Sequence, residues 1–209
     1  MRRFVLFLLF LLGLPSVAAA HPHAFIDLQT TLVLDGQGRL TAIREHWLFD
    51  QYYTEFALHD FAYGKNGVLD RDKLMELARE NLKNLKDFSY FTYFPDPKPQ
   101  LGTAGDIDSS LQDGRIALDF TLKLASPLAP PLSFRIYDPS YYTAMLHVES
   151  KPLVVQGGSP TCHATLVKPK PSAAWSNLAK ALDKNATAPD DLGTYFAEKV
   201  SLTCSQKNS

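Results

Sequence analysis

The chain has 209 residues, 45% of them hydrophobic and 21% charged, with a formal net charge of -1. Those fractions exclude wholesale disorder, and the near-neutral balance excludes the broad basic field that nucleic-acid binding requires. The length suits one domain with a substantial core.

The first 20 residues read as a leader. Arg2 and Arg3 precede an apolar run from Phe4 to Leu14, followed by Pro15 and then Ala18, Ala19 and Ala20. This is the pattern of a signal peptide cleaved after Ala20. The run is shorter than the roughly 20 apolar residues of a membrane span, so no membrane insertion is expected after cleavage. Removing 20 of 209 residues leaves 189, beginning at His21. Without Arg2 and Arg3, 19 basic side chains face 22 acidic ones, a net charge of -3. The expected location is the periplasm. In that oxidising compartment Cys162 and Cys204 are expected to form a disulfide, worth about 3–4 kcal/mol in the chain-entropy picture.

Along the mature chain, residues 23–34 read as a strand, Asp35-Gly36-Gln37-Gly38 as a turn, and Leu40 to Asp50 as the returning strand. Tyr52 to His59 suits a short helix. A loop at Ala62 to Gly67 leads into Asp70 to Lys86, where Leu74, Leu77, Leu82 and Leu85 form a helical apolar stripe. Strand patterns follow at 89–94, 116–124, 132–137, 142–149, 153–155 and 161–167, punctuated by Pro127, Pro130, Pro131 and Pro139. Residues 168–188 read as a Lys/Pro/Ala-rich linker with a short helix at Ala174 to Leu182. A second short helix at Asp191 to Val200 leads to Cys204. The expected class is mainly β with inserted α: an α+β fold of antiparallel strands, one early helix and short C-terminal helices. The expected organisation is a signal peptide at 1–20, a β-rich domain at 21–167, and a C-terminal segment at 168–209 tied back by the disulfide.

Three stretches carry a family resemblance. They are His21-Pro22-His23-Ala24-Phe25-Ile26-Asp27, Trp47-Leu48-Phe49-Asp50 and Tyr137-Asp138-Pro139-Ser140-Tyr141-Tyr142, with a glycine-containing loop before Leu69. Their order and spacing over about residues 21–167 resemble the domain-of-unknown-function 1007 family. Its members are exported bacterial proteins labelled as periplasmic components of an uncharacterised ABC-type transport system, often associated with nickel/cobalt transporters. The resemblance implies a metal-transport context and a membrane metal transporter as partner. It implies no settled activity. ABC substrate-binding proteins normally have two α/β lobes, which this strand pattern does not fit.

The residues themselves point to metal chemistry at the mature terminus. His21, His23 and Asp27 fall on one face of an extended strand. Imidazole suits nickel, cobalt, zinc and copper, and Asp27 offers a carboxylate oxygen. Cleavage adds the α-amine of His21. Pro22 lacks an N–H, which blocks the square-planar mode that recruits deprotonated backbone amides. Side chains must therefore complete the site, with His46 and His147 as the expected additional ligands and His59 and His163 as further candidates. A solvated terminus whose histidines merely titrate is the bland alternative.

The loop before Leu69 resembles a calcium site only in outline. With Gly67 at the sixth position of an EF-hand loop, Ala62, Gly64 and Asn66 take positions one, three and five. Asp70 takes position nine, and Lys73 falls at twelve, where a bidentate Glu is required. Relatives often carry a more acidic loop, so calcium binding is not carried over. Asp70 is expected instead to cap the helix that follows.

The aromatic runs Trp47-Phe56 and Tyr137-Tyr142 suit either core packing or a docking surface, with packing favoured. Asp50 and Asp138 read as structural hydrogen-bond acceptors. The expected function is a non-enzymatic periplasmic accessory protein that binds or delivers nickel, cobalt or zinc for a transporter. The alternatives are a metal-free β-rich interaction module and a copper enzyme built on His21. No Gly-x-Ser-x-Gly, phosphate loop or His-Glu-x-x-His sequence supports other catalysis.

Overall fold

A computed structural model describes residues 22–62, 69–158, 161–182 and 188–205. The expected leader at 1–20 and His21 lie outside the described residues, as does most of the 62–67 loop. The fold is mainly β with inserted α, as its alternating sequence patterns require.

The first hairpin organises the larger sheet. Strand β1 (Ala24–Leu34) and strand β2 (Leu40–Phe49) pair antiparallel from Ile26 opposite Phe49 to Leu34 opposite Leu40. Ile26, Leu28, Leu32 and Leu34 of β1 turn inward with Ile43, Trp47 and Phe49 of β2, while Asp27, Gln29, Arg44 and His46 face outward. The turn is locked by Asp35, whose Oδ1 accepts from Gln37 N at 2.9 Å and Arg39 N at 3.0 Å. Gly38 there has φ +76°, a left-handed backbone that costs glycine little.

Helix α1 (Gln51–Ala57) starts at Asp50, whose carboxylate accepts from Tyr53 N at 2.9 Å. It runs on as a π-helical turn, Leu58–Ala62. Helix α2 (Arg71–Leu85) is capped by Asp70, as the sequence suggests, and buries Leu74, Ala78 and Leu82. Strands β4 (Gly105–Gln112) and β5 (Arg115–Leu128) complete that side, giving the order β4-β5-β2-β1-β7, where β7 is Thr143–His147. Strand β8 (Leu153–Gly157) continues along β1 beyond β7. Both pair with β1 in parallel, whereas the other pairings of this sheet are antiparallel.

The second sheet has the order β3-β6-β10-β9, with β3 Thr92–Tyr93, β6 Leu132–Ile136, β9 Cys162–Val167 and β10 Lys199–Cys204. Phe134, Ile136, Val200 and Leu202 from this sheet join Leu28, Leu32, Trp47, Phe120 and Leu122 from the first in one buried cluster. A helix α3 (Ala173–Ala181) lies between β9 and β10 in sequence; its Trp175 stacks on Tyr195 with ring centroids 3.9 Å apart.

Three local expectations change. Residues 89–91 close a 3-10 turn, Lys86–Phe91, and only Thr92–Tyr93 form a strand. Ser89, Tyr90 and Phe91 have φ of 52°, 52° and 59°, so β propensity yields there to packing. Tyr90 is buried and its hydroxyl accepts from Ala104 N at 3.1 Å. Residues 191–200 hold only a 3-10 turn at Leu192–Tyr195, and Lys199 already belongs to β10. Strand β4 has no counterpart among the expected elements, although Asp113-Gly114, with φ of 52° and 77°, is a strong hairpin signal.

The Cys162–Cys204 disulfide forms, joining residues directly opposite in β9 and β10. It also seats the first hairpin: a Cβ on Gly38 would lie 3.2 Å from the Cys162 sulfur. Replacing both cysteines by serine should cost about 2–5 kcal/mol of unfolding free energy, measured by denaturant titration of the oxidised parent and the variant. A loss below about 1 kcal/mol would contradict the assigned role.

Candidate functional site

The start of β1 is held at one end of the first sheet, between β2 and the edge strand β7. His23 N donates to Tyr142 O at 2.8 Å, and the His23 ring lies 4.7 Å from the Tyr142 ring, centroid to centroid. Two residues on, Phe25 N donates to Asp50 Oδ2 at 2.6 Å while Asp50 N donates back to Phe25 O at 2.9 Å. Asp50 therefore ties the beginning of β1 to the start of α1. Asp138 has a similar structural role, accepting from Ser140 N, Ser140 Oγ and Thr143 N.

These ties sort the aromatic runs. Trp47 and Phe49 are core residues, and Tyr137 is buried. Tyr141 stacks on Phe196 with centroids 4.1 Å apart. Phe25, Tyr52 and Tyr142 remain 51%, 85% and 50% exposed at the end where β1 begins.

The expected ligands have separate engagements. Asp27 faces outward from β1 and pairs with Arg115 Nη1 at 2.9 Å; the same guanidinium donates to Leu48 O and Phe49 O. His46 shares that outer face, diagonal to Asp27, but its Nδ1 lies 2.8 Å from Asp119 Oδ1 on β5. The Asp119 hydrogen bond is the main reason the His46 imidazole titrates above its ordinary value; partial burial opposes it. His147 points to the opposite, inner face, in register with Leu28. The sheet thus divides Asp27 and His46 from His147. His59 lies beside Asp60, and His163 is exposed on β9. Among the described residues no group of three or more His, Cys, Asp or Glu side chains is gathered in a metal-holding arrangement.

The inner face holds a polar chain instead. His147 Nδ1 lies 2.9 Å from Glu198 Oε2, which also accepts from His147 N at 2.7 Å. A carboxylate at that distance assigns the Nδ1 proton to His147. His147 Nε2 is 3.1 Å from Thr30 Oγ1, and Thr30 Oγ1 is 3.5 Å from Glu45 Oε2. Trp47 Nε1 donates to the same Glu45 oxygen at 3.3 Å. Glu45 Oε1 is buried with no hydrogen-bond partner among the described residues. Thr30, Glu45, His147 and Glu198 are all buried, so this polar series is enclosed by the core. Thr30 Oγ1 contacts both Glu45 and His147, so Glu45, Thr30, His147 and Glu198 form one contiguous hydrogen-bonded series.

Sequence reasoning missed Thr30, Glu45 and Glu198. The first two carried a signal: Thr30 falls in phase with Leu28 and Leu32, and Glu45 with Ile43 and Trp47, so period two places both inward. Glu198 carried none, because its partner lies 51 residues away in sequence.

Comparison with known proteins gives a family but no activity. Residues 6–204 match the family described as "Protein of unknown function (DUF1007)". An "Uncharacterized protein" of Haemophilus influenzae is 28% identical over 197 residues, covering 88% of this chain and 91% of its own. No solved structure matches.

The buried acids set a pH dependence. Burial, only partly offset by bonds from Trp47 and Thr30, raises the Glu45 carboxyl to about 8. For Glu198, burial favours the neutral acid, but the His147 side-chain and backbone bonds outweigh it and hold the carboxyl below its ordinary value. Between the ordinary value of 4.5 and about 8, Glu45 keeps its proton only when folded. Its stabilising contribution is therefore complete below 4.5 and is lost as pH rises through about 8. Glu198 acts oppositely, losing its contribution as pH falls through its lowered value. Glu45→Gln should reduce the fall in Tm between pH 5 and 8 by roughly 5–10 °C. Thermal melts of parent and variant across that range are the check; parallel curves would refute the assignment.

Proposed function

The chain belongs to the DUF1007 family, and we propose that it is an exported, non-enzymatic accessory protein of a transition-metal transport system. In this reading the leader directs the chain to the periplasm. The His21-Pro22-His23 terminus then binds nickel, cobalt or zinc and offers it to a membrane transporter docked at the same end.

One observation carries the reading. His23 is fastened to Tyr142 at the end of the sheet where Phe25, Tyr52 and Tyr142 are exposed. Exposed aromatic side chains beside a chelating terminus suit a partner that must approach the bound ion. Pro22 leaves the side chains of His21 and His23 and the His21 amine as ligands, so donors from the partner would complete coordination during transfer. That incomplete set suits delivery better than permanent storage.

A metal-free docking module is the second reading. Its specific support is that Asp27, His46 and His147 already face Arg115, Asp119 and Glu198. A metal recruiting any of them must first break a charge-assisted bond.

One experiment separates the two. The mature protein with His21 at its terminus is titrated calorimetrically with nickel, cobalt and zinc beside a His21→Ala/His23→Ala variant. Metal delivery predicts at least tenfold weaker binding by the variant. Equal, negligible uptake by both refutes it and leaves the docking reading. Docking in turn predicts that Tyr52→Ser/Tyr142→Ser abolishes capture of the transporter while the fold, followed by circular dichroism, is retained.

A further inference from the structure

The outer face of the second sheet carries a charge arrangement that folding alone does not explain. Arg135 of β6 and Lys199 of β10 are directly opposite partners in the antiparallel register, and Tyr93 of β3 is opposite Arg135 on its other side. Directly opposed residues share a face, so Tyr93, Arg135 and Lys199 form one row. Their neighbours Ile136, Phe134 and Val200 point the other way, into the core. Like charges directly across a strand pair oppose sheet formation. Both cations here are only partly exposed, which reduces the solvent screening available to them.

Among the described residues, neither Arg135 nor Lys199 makes an ion pair. Arg135 Nη1 donates to Ala197 O at 2.6 Å, which fixes the guanidinium over the start of β10 without neutralising it. The adjacent Glu198 does not serve either cation, since it turns inward to His147.

The row lies in a half-open cleft of about 340 Å³, with Ser133 and Tyr137 also on its wall. This is within the range of small-ligand sites. Tyr93 and Tyr137 meet with ring centroids 4.7 Å apart and planes tilted by 46°, forming an aromatic wall beside the cation pair. Two acids act on those tyrosines. Asp138 directs its carboxylate to Ser140 and Thr143, and Asp191 bonds the Tyr137 side chain. Burial, with Tyr137, Asp138 and Asp191 nearby, holds the Tyr93 phenol well above its ordinary value. Tyr137 is also raised, first by burial. Both hydroxyls remain protonated at neutral pH; the Tyr137 proton is engaged by Asp191, which leaves the Tyr93 hydroxyl to donate to an anion.

We propose that this cleft binds a small organic monocarboxylate with a flat apolar ring, its carboxylate between Arg135 and Lys199 and its ring against Tyr93 and Tyr137. The guanidinium supplies the planar fork and the ammonium the second charge, so the ligand turns a repulsive pair into a bridged one. The ring requirement follows from the aromatic wall, since a bare anion would leave it unused. The site lies on the second sheet and does not depend on the metal-delivery reading.

The test is an NMR titration of the full mature chain with phenylacetate, acetate and inorganic phosphate in parallel. Phenylacetate should shift the backbone amides of Arg135, Tyr137 and Lys199 in a saturable manner, with acetate and phosphate at least tenfold weaker. Lys199→Gln should weaken phenylacetate at least tenfold while leaving Tm unchanged or higher, because a like-charge contact is removed. Arg135→Lys, which keeps the charge but loses the fork, should also weaken it. Phosphate or acetate binding as tightly as phenylacetate would overturn the ring assignment. Absence of saturable shifts at these residues, or equal phenylacetate affinity in Lys199→Gln, would overturn the site.

Discussion

The His147–Glu198 contact ties the two sheets of the molecule to each other. His147 ends β7, at the edge of the first sheet, and Glu198 immediately precedes β10, an inner strand of the second. Two hydrogen bonds to one carboxylate oxygen therefore join the sheets at a buried point. The other end of β10 is fixed covalently through Cys204 to Cys162. A strand pinned at both ends holds β6 and β9 in register on either side. Burying a charged group demands this degree of satisfaction, because an unpaired carboxylate in the core would cost several kcal/mol.

The same constraint explains the distribution of charge across the first sheet. Apart from Arg44, which bonds the Gln156 side chain, the titratable side chains of β1, β2 and β7 follow one pattern. Each is either outward with an opposite partner or inward within a hydrogen-bonded series. Asp27 takes Arg115, His46 takes Asp119, and His147 takes Glu198. Glu45 satisfies the pattern only in part. Its second oxygen has no hydrogen-bond partner among the described residues, so the folded state favours its neutral form. On the second sheet the departure is the Arg135–Lys199 pair, where two cations oppose each other without a carboxylate. Those two breaks in local neutrality mark a stored proton on one sheet and a cleft suited to an anion on the other.

Much of the fold was legible because alternation and caps are local properties. The 23–34 and Leu40–Asp50 strands, the Asp70 cap and the Asp70–Lys86 helix follow from residue spacing, and their observed bounds differ by a residue or two. Tyr90 defeated the same method, because its burial and its bond with Ala104 are nonlocal. Val200 and Leu202 alternate properly but lie in a six-residue strand beside a turn-rich segment, and the helical reading absorbed its start. The expected metal set mixed faces for a related reason. Period two fixes parity within one strand, whereas the parallel pairing of β1 with β7 turned His147 inward.

The sequence by itself determined the α+β class, the family resemblance and the placing of a His21-Pro22-His23 stretch just after a leader-like apolar run. It also limited the cysteines to one intramolecular pairing. Tertiary structure decided which histidines already have partners, that Glu45 and Glu198 share one buried series with His147, and that Arg135 faces Lys199. The division has a physical cause. Residue spacing fixes which side of its own strand a group occupies, while charge, burial and proton affinity depend on the strand placed opposite it.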